Sequence, residues 1–100
     1  MGQLLNDEQV RTALVQLDGW EGDITAIRRT AVLPSFLAAI DVVRQVAKVA
    51  EELDHHPDID IRWRTVHFVS STHSDNGVTA KDTELAARID AIVAAVGDLA

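Results

Sequence analysis

The sequence predicts an α+β domain, an antiparallel sheet with helices on one face, in the order α-β-β-α-β-β-α. Three segments carry apolar residues at helical spacing, each behind a capping residue, Asn6, Ser35 or Thr79. Between them the β-prone segments come in pairs, with turn signals at Gly22-Asp23 and Asn76-Gly77. Strands grouped in pairs, rather than alternating singly with helices, favour antiparallel pairing with helices segregated to one face.

The first helix starts at Asn6, with Gln9 as its capping-box partner and Leu5 and Val10 placed for a hydrophobic staple. Val10, Ala13, Leu14 and Leu17 form its apolar face, and Asp18-Gly19 ends it. A hairpin follows, with a short segment at Trp20 and a longer one from Ile24 to Leu33, in which Arg28-Arg29 blurs the alternation. Pro34 stops that strand and Ser35 caps the second helix. Phe36, Ile40, Val43, Ala47 and Ala50 form the stripe expected to face the core, widened by Val46, Val49 and Leu53. This helix should run to about Asp54, because a residue before proline is pushed out of helical conformation.

Ile59, Ile61 and Trp63 alternate with Asp60, Arg62 and Arg64, and Val66 to Thr72 is again β-prone. Arg64-Thr65 reads either as a tight hairpin or as a bulge in one long strand, since neither residue favours a primed turn. Thr79 caps the last helix with Asp82 at its third position, and Leu85, Ile89, Ile92 and Val96 form its stripe.

One hundred residues without a repeat, low-complexity tract or linker read as a single domain, 1–100. A chain that is 47% hydrophobic and 25% charged is ordinary for a soluble globular protein. Absence of cysteine excludes disulfides, thiolate metal sites and a cysteine nucleophile. A net charge of −7 repels nucleic-acid phosphate, and Arg28-Arg29 with Arg62 and Arg64 is too small a basic patch to reverse that. No apolar run is long enough to span a bilayer, and Met1-Gly2-Gln3-Leu4-Leu5 lacks the basic region of a signal peptide. The expectation is a cytoplasmic protein that binds neither nucleic acid nor membrane.

All four histidines (His55, His56, His67 and His73) fall in one short region. Histidine titrates near neutrality, so such a cluster suits proton transfer. His55-His56-Pro57 sits in the turn after the second helix, and Glu51, one helical turn back, could orient the His55 ring. On the residues alone, the pair reads equally well as two exposed histidines in a polar loop. Ser71-Thr72-His73 lies at a strand end, where sites are commonly built, and its hydroxyls could bind a polar heterocycle; a solvated strand end is the alternative. His67, between Val66 and Phe68, reads as a strand histidine outside the site. Asp82 has a capping role available and could also face a pocket. A metal site is not expected: there is no H-E-x-x-H helix and no H-x-H strand pair, and adjacent histidines in extended chain point to opposite faces. A serine–histidine hydrolase is expected still less, since there is no G-x-S-x-G elbow.

Glu51-x-x-x-His55-His56-Pro57, then Trp63, Ser71-Thr72-His73, Gly77 and Asp82 together resemble the pterin-4a-carbinolamine dehydratases. Gly19-Trp20 and Phe36 extend the resemblance over nearly the whole chain. It implies a four-stranded antiparallel sheet with three helices on one face, and homo-oligomers, dimers or tetramers. It implies dehydration of 4a-hydroxytetrahydropterin to quinonoid dihydropterin, without metal or organic cofactor, in recycling of the pterin used by aromatic amino-acid hydroxylases. By that resemblance His55 and His73 form the acid–base pair and His56 assists. Asp82 and Glu51 orient rings, while Asp54, Pro57, Trp63, Ser71, Thr72 and Ser74 surround the pterin. Ile59 stands where the family usually has tryptophan. Two other readings compete: a non-catalytic binding or assembly protein, and a protein acting on a molybdopterin-type molecule.

Overall fold

The computed structural model describes residues 3–99; Met1, Gly2 and Ala100, which enter the 1–100 domain and N-terminal readings, lie outside the described residues. The elements are α1 (Asp7–Gln16), β1 (Trp20–Gly22), β2 (Ile27–Val32), α2 (Phe36–Leu53), β3 (Asp58–Arg62), β4 (Thr65–Ser70), a 3₁₀ turn (His73–Asp75) and α3 (Ala80–Val96). Four antiparallel strands run in the order β1-β2-β4-β3, so the chain has the α+β architecture expected from the pairing of β segments.

The three caps form as the sequence predicts. Asn6 and Gln9 exchange reciprocal bonds, Ser35 accepts from the Ala38 N–H, and Thr79 and Asp82 complete a second capping box. Inward positions of the central strands (Ile27 and Ala31 on β2, Val66 and Phe68 on β4) are fully buried against Val10, Val42, Val46, Leu85, Ile89 and Val93 of the helices. That single apolar layer between sheet and helices holds the fold together.

Three local expectations are corrected. Gly22 and Asp23 begin a wider turn closed by Asp23 N–H to Ala26 C=O, so β2 starts at Ile27 rather than Ile24. The hairpin between β3 and β4 turns at Trp63-Arg64, with Arg62 paired to Thr65 and Trp63 at φ 55°. A positive φ at the first turn position matches a type II′ turn, reached here without glycine.

The α2 stripe is also shifted. Ala39, Val42, Val46, Val49 and Ala50 face the core, whereas Phe36, Ile40 and Ala47 are exposed and Val43 half-buried. The helix is apolar on more than one side, so spacing alone does not say which side the sheet covers. An apolar strip of Phe36, Leu37 and Ile40 is therefore left uncovered in the single chain.

Candidate functional site

The end of α2 delivers the first histidine. Asp54 adopts the left-handed conformation (φ 49°) and its N–H caps the carbonyls of Ala50 and Glu51. The His55 N–H then returns to the Ala50 carbonyl at 3.0 Å. This C-terminal turn satisfies the open carbonyls and reverses the chain. It places the His55 ring inside, at 8% exposure, and leaves Asp54 and His56 outside.

Asp82, completely buried in the first turn of α3, receives that ring. Its Oδ1 lies within hydrogen-bond distance of His55 Nε2, at 2.6 Å, and accepts from the Ser70 hydroxyl at 2.6 Å. Its Oδ2 accepts from the Thr72 hydroxyl at 2.8 Å and from the Thr79 N–H at 2.9 Å. The Thr72 proton is thus committed to the carboxylate, so Thr79 Oγ1 donates the 2.8 Å bond between the two threonine hydroxyls. Thr79 Oγ1 in turn accepts from the Lys81 N–H at 3.2 Å. Ser70, Thr72 and Thr79 are all buried, and each finds a partner in this one network.

The second histidine motif is carried by the loop beyond β4. Thr72 and Gly77 form a two-way backbone bridge, with N···O distances of 2.8 and 3.3 Å, around the turn that begins at His73. A Cβ at Gly77 would lie 2.6 Å from the Ile24 carbonyl oxygen, so the close approach of the β1–β2 loop requires glycine there. His73 and Ser74 are exposed, directly after the residue that binds Asp82. His73 is thus tied through one peptide bond to the network that holds His55.

Other candidates separate. Glu51 does not reach His55: it hydrogen-bonds His56 Nε2, because the left-handed turn at Asp54 breaks the helical spacing that a Glu51–His55 pair needs. The Ser71 hydroxyl donates to the Thr25 carbonyl at 2.8 Å, tying the two loops together. Pro57 is half-buried just before β3. Trp63 is 71% exposed at the hairpin tip, with the Arg64 guanidinium over its ring at 5.1 Å. Its place one residue beyond β3 puts it roughly 16 Å along the chain from the histidine end of that strand, at ~3.3 Å per residue. Ile59, opposite Phe68, is half-buried against the core. His67 shares a 2.8 Å bond with Thr30 and lines a separate cavity of about 270 Å³ with Glu21 and Arg28.

Sequence reasoning passed over Ser70 altogether and read Thr79 as a cap alone. Ser70 continues the inward phase of Val66 and Phe68, and a hydroxyl at an inward strand position announces a buried polar partner. Arg29 gives the same signal between Ile27 and Ala31. It is buried and paired with Asp90 at 2.6 Å and with Asp98, and Trp20 Nε1 also donates to Asp90 at 2.7 Å. Among the described residues no helix is long and apolar enough to cross a membrane, and no group of three or more His, Cys, Asp or Glu is placed to hold a metal ion.

Comparison with known proteins bears on this arrangement. The family model described as pterin 4 alpha carbinolamine dehydratase matches residues 3–92. A protein of Mycobacterium avium named "Putative pterin-4-alpha-carbinolamine dehydratase" is 56% identical over 90% of this chain and 96% of its own length. A like-named protein of Mycolicibacterium smegmatis is 52% identical over the same shares. A crystal structure of a transcriptional coactivator/pterin dehydratase from Brucella melitensis superposes with a TM-score of 0.88 at 35% identity, covering 91% of this chain and 99% of that one. A pterin dehydratase-like protein described as a RuBisCO assembly factor shares the fold at 19% identity, with a TM-score of 0.63 over 74% of this chain and 86% of that one.

Proposed function

We propose, for a chain that belongs to the pterin 4 alpha carbinolamine dehydratase family and is a lyase of that kind, that His55 and His73 carry its proton transfers. The substrate is a 4a-hydroxytetrahydropterin and the products are quinonoid dihydropterin and water. The C–O bond at C4a breaks as its hydroxyl gains a proton, and N5 loses one as the C=N bond forms. One acid and one base suffice, and such help is worth roughly 10²–10⁴-fold.

The observation that carries this reading is the environment of His55. Its ring is buried and held by Asp82 through Nε2, while Nδ1 makes no hydrogen bond among the described residues. A ring held at one nitrogen and open at the other suits proton exchange with a bound molecule. The exposed His73, on the loop tied to the same aspartate, supplies the second group. His56, steadied by Glu51 at the surface, is assigned to binding, together with Asp54 and Ser74.

Two finer points belong to the same proposal. The reaction serves recycling of a pterin oxidised by an aromatic hydroxylase. The chain self-associates, covering Phe36, Leu37 and Ile40 of α2 with a second copy; sedimentation of the wild type against Leu37→Glu tests this, and a monomer at all concentrations overturns it. The assembly-factor reading keeps the fold but needs no proton transfer, so one experiment separates the two. Formation of quinonoid dihydropterin from synthetic 4a-hydroxytetrahydropterin is followed by stopped-flow absorbance with and without the protein. Acceleration supports the dehydratase; an unchanged rate with folded protein rejects it.

A further inference from the structure

We propose that the Thr79 N–H, with the Ser70 and Thr72 hydroxyls, locks Asp82 so that His55 carries its ring proton on Nε2 and exchanges protons through Nδ1. The proposal rests on the reading of His55 as a proton-transfer residue and names the atom through which it acts. Ser70, Thr72 and Asp82 are positioning residues in this account, since none of them is open to a substrate.

Counting donors makes the assignment. The Asp82 carboxyl is met by the His55 ring, two hydroxyls and one backbone N–H. The Thr72 hydroxyl donates to Oδ2, which leaves its oxygen to accept from the Thr79 hydroxyl. The Thr79 N–H is a donor that cannot reverse. A carboxylate accepts from all four at once, and the nitrogen facing a carboxylate is N–H. That nitrogen is Nε2, and neutral imidazole carries only one ring proton. The lone pair therefore sits on Nδ1, the nitrogen with no partner among the described residues.

The same bookkeeping predicts what Asp82→Asn does. The amide oxygen must take the Oδ2 place, because the Thr79 N–H, 2.9 Å away, tolerates only an acceptor there. The amide NH₂ then faces His55 Nε2, which becomes the acceptor. The ring proton moves to Nδ1, and the lone pair is lost from the side open to substrate. Exchange of one heavy atom at nearly constant volume reverses the tautomer. An equivalent reversal by aspartate-to-asparagine exchange in the serine-protease triad is known to abolish most activity.

The test is long-range ¹H–¹⁵N NMR of the histidine rings in the full chain, about two pH units above the ordinary histidine value of ~6.5. Wild-type His55 is expected with Nε2 protonated and Nδ1 bare, and Asp82→Asn with the reverse. A wild-type spectrum with Nδ1 protonated overturns the proposal, as does an Asp82→Asn variant that keeps the wild-type tautomer. If that variant does not fold, the wild-type spectrum decides alone. Ser70→Ala is expected to lower kcat several-fold at unchanged KM; an unchanged kcat removes Ser70 from the lock. Because the tautomer is read without turnover, the expected spectra in a protein that fails to dehydrate the pterin would leave the lock standing and reject only the proposed function.

Discussion

Thr72 and Ser71 are adjacent hydroxyl residues that the sequence treats alike, and the structure predicts very different costs for removing them. Thr72→Val keeps the shape of the side chain, so no cavity forms and only hydrogen bonding changes. It removes a donor to the Asp82 carboxylate at 2.8 Å and the acceptor of the Thr79 hydroxyl at 2.8 Å, both in a site with no solvent to replace them. A bond to a charged group contributes about 1.5–3 kcal/mol and a neutral one about 0.5–1.5 kcal/mol, so the variant should lose roughly 2–4 kcal/mol. In a domain of this size that lowers Tm by roughly 10–20 °C. Ser71→Ala removes one bond to the Thr25 carbonyl at a site that water reaches, and should cost at most about 1 kcal/mol. Urea denaturation at neutral pH measures both, with the slope unchanged if the native and unfolded states keep their compactness. Equal costs, or a Thr72→Val cost below about 0.5 kcal/mol, would refute the claim that this hydroxyl is part of a dry network.

Three further outcomes are expected. Arg29→Met removes the buried guanidinium that both Asp90 and Asp98 bind; the expected loss is about 3–5 kcal/mol by urea denaturation, with faster exchange of the Leu99 N–H, which bonds the Val32 carbonyl. Gly22→Ala puts a methyl 2.2 Å from the Ala26 carbonyl oxygen at φ 144°, so a thermal melt should show a loss of at least ~1–3 kcal/mol. Burial holds the Asp90 carboxyl above the usual aspartate range, outweighing the Trp20 and Arg29 bonds that lower it. The folded chain therefore binds this proton more tightly than the unfolded one. The stability it brings is complete below the ordinary aspartate pKa and is lost as pH rises through the raised value. A ¹³C titration of Asp90 with a midpoint at or below about 3.9 contradicts this.

The parts of the fold written in local chemistry were legible in the sequence. Asn6, Ser35 and Thr79 cap helices because their side chains satisfy free N–H groups a few residues away, an interaction that needs no tertiary context. The grouping of β segments in hairpins gave the sheet and its class. What depended on the third dimension was not legible. The exposed Phe36 and Ile40 and the buried Ala39 and Val42 differ only in which side of α2 meets the sheet. Glu51 is one helical turn from His55, but the left-handed Asp54 hands it His56 instead. Asp82 was visible as a capping residue and as a candidate site residue, yet its hydroxyl and backbone partners come from the end of β4, the loop beyond it and the cap of α3. The inward phase of Ser70 and Arg29 was the signal available for both buried polar clusters.

The most direct test of the account compares stopped-flow dehydration of 4a-hydroxytetrahydropterin by the wild type, His55→Ala, His73→Ala and His67→Ala, each checked for folding by circular dichroism. The account predicts acceleration by the wild type, a loss of roughly 10²–10⁴-fold at His55 and His73, and little change at His67 on the separate cavity. Full activity in folded His55→Ala, or a loss at His67 as large as at His55, would contradict it.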